Sequence, residues 1–332
     1  MKKHQVSVKE IAQLAGTSTA TVSRVLNQNG RFSKETEERV RKVIAETGYQ
    51  LNPLARSLRT THSNIIGILV PDIGYEFYGT ITKKIQETLM ENDYMALVSN
   101  TGENLEQAAQ YVQIFKNYNA DGIIYIGNNE ITELPELPIV YVDRDPRDAQ
   151  DMTEENYTLI ECDNIQGGYL AGEELIRKGC RHIAYIVFDQ TVSTHRKRLQ
   201  GLRSALSKAD LDISDQYIIT TGSFLIEEGF AAVKQLMTSH PDVDGIFFSS
   251  DSLAFGGLRY LNQAGFSVPG QVKLIGFDDH STSSVIGLTT IRQPVSEIGL
   301  QAGLRMVRMI AGEEIHRQRR RLPVELVVRG TT

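Results

Sequence analysis

VKEIAQLAGTSTATVSRVLN, running from Val8 to Asn27, reads as two short helices around a tight turn, and that reading divides the whole chain. Ser7 and Glu10 have the spacing of a capping box, so a first helix starts at Val8. Ile11, Ala12 and Ala15 fall on one face, and Gly16 supplies a left-handed exit. Ser18 then caps a second helix whose inward stripe is Val22, Val25 and Leu26, leaving Thr19, Ala20, Ser23, Arg24 and Asn27 outward. The outward face is short and polar, with one guanidinium. A helix lying in a major groove needs such a face: small side chains for close approach, hydroxyls and an amide for phosphates, and an arginine able to pair two-pronged with guanine.

Charge separates this stretch from an ordinary helical bundle. Residues 1 to 61 carry 11 Lys and Arg against 5 Asp and Glu, a net of +6, whereas the remaining 271 carry 24 against 36, a net of −12. A basic headpiece on an acidic body is the asymmetry of a nucleic-acid binder with a separate regulatory domain. A third helix is expected from Lys34, capped by Ser33, to about Thr47, with Val40, Val43 and Ile44 inward and Gly48 as its stop. The next segment, YQLNPLARSLRTT (49 to 61), has a cap at Asn52, Pro53 at a first helical position, and Leu54, Ala55 and Leu58 on one stripe. So short a helix is marginal alone in water and needs partners.

From Ile65 onward short apolar runs alternate with amphipathic segments: strands at 65–70, 95–99, 122–126, 139–143, 159–162, 183–187, 217–220, 245–249 and 273–277, with helices between most of them. One helix is placed from Arg198 to Ala209, and a Ser/Thr-rich loop after Phe277. Such alternation predicts an α/β body of doubly wound parallel sheets, long enough for two lobes whose strand ends face a common cleft. No stretch approaches the roughly 20 apolar residues of a membrane span, so a cytoplasmic location and no membrane partner are expected. Cys162 and Cys180 have no metal-type spacing and are expected to be reduced. The chain has no nucleophile elbow, Walker loop, dinucleotide fingerprint or HExxH, so neither an enzyme nor a cofactor is expected. His280 is read as a loop residue and RQRRR (317 to 321) as solvated surface.

In order, VKEIAQLAGTSTATVSRVLN, TGYQLNPLARSL, IIGILVPDIGYEFYG, RLQGLRSAL, FFSSDSLAFGGLR, LIGFDD, LTTIRQP and LPVELVVRG resemble the lactose-repressor and galactose-repressor family of bacterial transcription regulators over nearly the whole chain. The resemblance implies a helix-turn-helix headpiece (1–51), a hinge helix and linker (52–62), and a periplasmic-binding-protein-like effector and dimerisation domain (63–332). Lobe 1 would span about 63–161 and 292–321, and lobe 2 about 162–291 and 322–332. It implies base reading by Thr19, Ala20 and Arg24, phosphate and backbone contacts by Ser18, Thr21, Ser23 and Asn27, and hinge contacts by Asn52, Ala55 and Leu58. Leu58 would be the wedge in the minor groove; the family's usual proline at the place of Leu51 is displaced here to Pro53. For the effector it implies Asp72, Tyr75, Phe77 and Asp143 from lobe 1, and Arg198, Phe224, Ser250, Asp251 and Asp278 from lobe 2. Carboxylates and a guanidinium offer paired acceptors and donors to sugar hydroxyls, and an aromatic face suits the C–H side. The implied partners are operator DNA, a second copy of the chain as a homodimer, and a small sugar, with ribose or a fructose-containing sugar favoured. A corepressor (a purine or a phosphorylated carrier protein) or a sugar-binding protein without DNA binding are the alternatives.

Overall fold

The computed structural model describes residues 6–27, 29–49, 63–127, 137–145, 158–313 and 318–332, the side chains of 27 and 318 excepted. Asn52, Ala55 and Leu58 lie outside the described residues, and so does any side-chain role of Asn27. The chain separates into two compact units, residues 1–63 and 64–332.

In the first unit, α1 (Val8–Leu14) begins with the reciprocal cap of Ser7 and Glu10, and Gly16 turns with φ +62°. The Ser18 hydroxyl accepts the Thr21 amide at the start of α2 (Thr19–Asn27). The third helix, α3 (Lys34–Thr47), is capped by Ser33 and stopped by Gly48 in the left-handed conformation. Ile11, Ala12, Ala15, Val22, Val25 and Val40 form one small core, so the inward stripes predicted for all three helices meet.

The second unit contains two six-stranded sheets. Its strands are β1 (Ile65–Val70), β2 (Met95–Asn100), β3 (Gly122–Tyr125), β4 (Ile139–Val142), β5 (Thr158–Cys162), β6 (Ile183–Phe188), β7 (Ile218–Thr221), β8 (Gly245–Phe248), β9 (Lys273–Asp278), β10 (Thr289–Arg292), β11 (Gln318–Leu322) and β12 (Glu325–Val327). One sheet has the order β11-β5-β4-β3-β1-β2 and is parallel throughout; the other runs β12-β10-β9-β8-β6-β7 with only β12 antiparallel. The helices are α4 (Glu76–Glu91), α5 (Leu105–Asn117), α6 (Asn164–Arg177), α7 (Ser193–Lys208), α8 (Ile226–Ser239), α9 (Asp251–Gln263), α10 (Ser281–Ile286) and α11 (Val295–Ile310). The chain crosses between lobes three times: after β5, between β10 and α11, and between β11 and β12.

Three expectations change. Helix α7 starts at Ser193, not Arg198, because its polar first turn carries no apolar signal. The Ser/Thr-rich segment after β9 is a short helix, α10, ended by Gly287 at φ +74°. The arginine-rich run is not mere solvated surface: Gln318–Leu322 pairs parallel with β5, and Arg319 and Arg321 both contact the buried Glu161 carboxylate. Glycine spacing explains how α6 and α7 pack. A Cβ on Gly168 would lie 1.9 Å from the Arg198 carbonyl oxygen, and one on Gly201 would lie 2.0 Å from that of Ile165, so only glycine permits this backbone approach. That approach sets the height of Arg198 over the second sheet.

Candidate functional site

Two sites follow from this architecture, one on each unit. On the first, Ser18, Thr19, Ala20 and Arg24 are exposed, Thr21 and Ser23 half-buried, and Val22 and Val25 buried, so α2 carries its polar face outward. Ser18 and Thr21 share a hydroxyl contact of 2.9 Å, which fixes both oxygens at the helix start.

The second site lies beyond the strand ends of the two sheets. Of the effector residues the resemblance implied, Tyr75, Phe77, Asp143, Arg198, Phe224, Ser250 and Asp278 come together around one cavity, and Asp72 and Asp251 do not line it. Asp72 is exposed and accepts the Gly74 amide at 2.9 Å, a turn contact. Asp251 is fully buried behind the wall, where it accepts from the hydroxyls of Ser283 and Thr290 and from the His280 amide. A Cβ at Gly276 would meet its Oδ1 at 2.1 Å, so the bare glycine of β9 makes room for this carboxylate. Asp251 therefore braces the loop that carries Asp278.

Sequence reasoning missed Tyr78, Arg144, Thr194, His195, Ser249, Ser252, His280 and Gln293, all of which line the cavity. His280 is a buried wall residue and not a plain loop residue. Arg144 is among the largest fully buried side chains; it donates to Glu103 at 2.6 Å and to the Tyr78 hydroxyl. Two signals were available: VDRD ends a strand, and Gln293 follows the crossover strand β10. Thr194 and His195 were hidden by the misplaced start of α7.

Arg198 is 4% exposed, donates to Asn164 Oδ1 at 2.8 Å and to the Ser249 carbonyl, and stands 3.5 Å over the Phe277 ring. Its guanidinium is thus held flat by partners from three elements, and it makes no direct ion pair with Asp278. Burial and the nearby Asp143 push the Asp278 carboxyl up, against the opposing pull of Arg198 and Gln293; burial and the Asp278 charge push Asp251 up as well. Burial, aided by Arg198, holds His195 well below the usual imidazole range, so its ring is neutral, with Nδ1 2.9 Å from the Asp189 carbonyl. Both cleft aspartates have left-handed backbones, φ +68° at Asp143 and +117° at Asp278, a costly conformation that tends to mark binding sites.

Four buried polar atoms of the wall have no hydrogen-bond partner among the described residues: Asp143 Oδ1, Arg144 Nε, His280 Nε2 and Gln293 Oε1. Leaving a buried polar atom unpaired costs about 1–3 kcal/mol, so such a set converging on one cavity calls for a polar ligand or water. The room between them is about 30 Å3, space for about two waters. A monosaccharide is several times larger, so a ligand enters only if the lobes part. Phe188, His195 and Phe224 form an aromatic cluster, and Tyr75 meets Phe224 edge-on at 5.6 Å across the cleft.

Residues 7–52 match the bacterial regulatory proteins of the lacI family, and residues 173–332 match the periplasmic binding protein-like domain. A ribose operon repressor of Halalkalibacterium halodurans is 31% identical over 98% of this chain and 97% of its own length. Among solved structures, a complex of the transcriptional regulator CelR with cellobiose is 28% identical, covers 98% of this chain and all of its own, and superposes with a TM-score of 0.73. A lac repressor dimer bound to operator and an anti-inducer shares the fold at a TM-score of 0.87 and 24% identity, covering 99% of each chain.

Proposed function

The chain belongs to the LacI family of bacterial regulatory proteins, and on that premise we propose that it represses a sugar-utilisation operon and leaves its operator when a small sugar fills the interlobe cleft. The observation that carries this reading is the set of buried atoms in the cleft without a hydrogen-bond partner, two acceptors and a guanidinium Nε among them, beside Arg198 and the Tyr75–Phe224 ring pair. Hydroxyls at several positions of one small ring satisfy both kinds of group, and the aromatic faces take its C–H side. Ribose is the favoured sugar, since relatives at about one third identity across their whole length carry the name ribose operon repressor.

The Thr19 to Asn27 helix enters the major groove, with Arg24 reading guanine and Ser18, Thr21, Ser23 and Asn27 on the backbone. Two-fold symmetry then requires a homodimer, one such helix per half-site of a near palindrome. Exposed apolar side chains at Met90, Met95, Leu225 and Val285 are consistent with a second chain covering part of the effector domain. Asn52, Ala55 and Leu58 enter this reading from the sequence alone, as the hinge that reaches the minor groove. The protein works in the cytoplasm as a regulator and not as a catalyst; among the described residues no helix is long and apolar enough to cross a membrane.

Mobility shift at fixed salt, on a library of near-palindromic operators and against a panel of pentoses, hexoses, sucrose, purines and phosphorylated carrier protein, tests the whole reading. Release of the DNA by ribose is the expected result. DNA binding that appears only when a panel member is added would reverse the logic to corepression, and no operator binding under any condition would remove the repressor reading.

A further inference from the structure

The cleft must open for any sugar to enter, and contacts outside its lining join the lobes: the Asp145 amide donates to the Ser193 hydroxyl at 2.9 Å, Lys197 reaches Glu161 at 2.6 Å, and Glu76 makes a third. Glu76 is the first residue of α4 in lobe 1. Its Oε1 accepts the Ser281 amide at 2.7 Å and its Oε2 accepts the Ser281 hydroxyl at 2.9 Å, and Ser281 opens α10 in lobe 2. Glu76 does not line the cavity, although its neighbours Tyr75 and Phe77 do.

The platform that Ser281 stands on is rigid. Asp251 holds the His280 amide at 2.8 Å, while Arg292 and Arg329 each hold the Asp279 carboxylate at 2.7 Å. A two-pronged contact to a fixed loop transmits closure to the loop's aspartate, whereas the same contact to a loose loop would only drag it along. An acidic residue in a first helical turn is also favourable for that helix by itself. That effect explains why a carboxylate is tolerated at position 76, but not its reach across 205 residues of sequence to both donors of one serine.

We propose that Glu76 is a positioning residue, a latch that closes the mouth of the cleft and sets how long the effector stays. It touches no ligand; it adds two hydrogen bonds present only when the lobes are shut. Its contribution is therefore to the closed state whether or not a ligand is inside. Since a contact present in the closed state must break before a ligand can enter or leave, the latch should slow association and dissociation alike. The inference rests on the cleft being the effector site; the latch itself is a property of the lobes and can be read without any ligand.

The test joins a ligand-free and a ligand-bound measurement. Spin labels at Lys83→Cys in lobe 1 and Lys234→Cys in lobe 2, in labelled chains diluted into unlabelled ones, report the interlobe distance; the native Cys162 and Cys180 are buried. Without sugar, Glu76→Ala should move population to longer distances. Glu76→Gln should restore the short one, because its amide oxygen can take the Ser281 N–H and its amide nitrogen can donate to the Ser281 oxygen. With D-ribose as the probe, Glu76→Ala should raise the dissociation rate about 5- to 10-fold, the loss of one or two hydrogen bonds, and should raise the association rate as well. Identical sugar-free distances in wild type and Glu76→Ala overturn the latch, whatever the ribose kinetics show. Should wild type fail to bind ribose, the sugar reading fails and the sugar-free distances still decide the latch.

Discussion

Helices α2 and α7 each carry one arginine at the centre of a proposed binding face, and they hold it in opposite ways. Arg24 stands exposed on a nine-residue helix whose cap and apolar stripe lie within a few residues of it. Arg198 is buried on a helix fixed by Gly168 and Gly201 against α6, with Asn164 from beyond the first crossover, the Ser249 carbonyl after β8 and the Phe277 ring of β9 as its partners. An exposed arginine keeps its reach and can search for a base. A buried one has already spent its freedom, and gives a ligand a guanidinium whose position no longer has to be ordered on binding. The first arrangement suits a surface that must fit a long, deformable partner, and the second a small rigid one.

That contrast is broken most directly at the buried arginine. Arg198→Ala leaves the Asn164 amide oxygen and the Ser249 carbonyl without their donor and the Phe277 face without its cation. Hydrogen bonds from a charged donor are worth about 1.5–3 kcal/mol each, so if Arg198 gives two of them to the effector, its removal should lower effector affinity by roughly 100-fold or more. Operator binding without effector should persist. Titration of the variant with the sugar that releases wild type checks this; retention of affinity within a few-fold would mean that Arg198 is a strut and not a ligand group. Arg198→Lys should rescue little, since one ammonium cannot reproduce a fork held by two acceptors and a ring.

The same contrast explains what the sequence disclosed. Ser7 with Glu10, Ser18 with Thr21, and Gly16 and Gly48 are local signals, and each appears in the headpiece where the spacing placed it. Strand and helix periods likewise fixed the parallel sheets. What escaped was set by partners far along the chain. Arg144 looks like a loop residue until Tyr78 and Glu103 enclose it, and His280 until Asp251 fixes its backbone. Arg319 and Arg321 read as a solvated run because nothing near them in sequence hints at Glu161, some 160 residues away, whose carboxylate they share with Lys197. Asp72 and Asp251 were legible as acids after strands but not as turn and brace, because a strand end shows where a side chain starts and not which layer it enters.

On the exposed side a smaller effect is expected. Arg24→Ala should weaken specific operator binding by about 1–3 kcal/mol, while nonspecific DNA loses only what one charge contributes to the salt-dependent part. Competition assays with the two DNAs at one salt concentration measure the difference. Equal losses on both would reduce Arg24 to a phosphate contact and move base reading to Thr19 and Ala20.

The smallest effect concerns protons and sharpens the comparison, because only the buried site is poised to titrate near neutrality. Burial and Asp143 raise Asp278 to about 7, and Asp251 is raised to about 7 partly by the Asp278 charge. A carboxyl whose pKa is higher folded than unfolded binds more protons in the native state. Stability from it is therefore full below the unfolded value of about 4 and is lost as pH climbs through the folded one. Asp278→Asn removes that titration, keeps an oxygen for the Gln293 amide, which donates at 2.7 Å in the wild type, and relieves Asp251 of a neighbouring charge. His195, held neutral by burial, pulls the other way below its ordinary pKa, but it does so in both proteins and cancels in the difference. The melting midpoint of Asp278→Asn minus that of wild type should thus increase from pH 5 to pH 8, by about 2–4 °C for each kcal/mol of relief in a domain of this size. A difference that stays flat or shrinks over that range would mean that the buried pair meets its charge with water already inside the cleft, and the cleft would then resemble the exposed face of α2 more than its burial suggests.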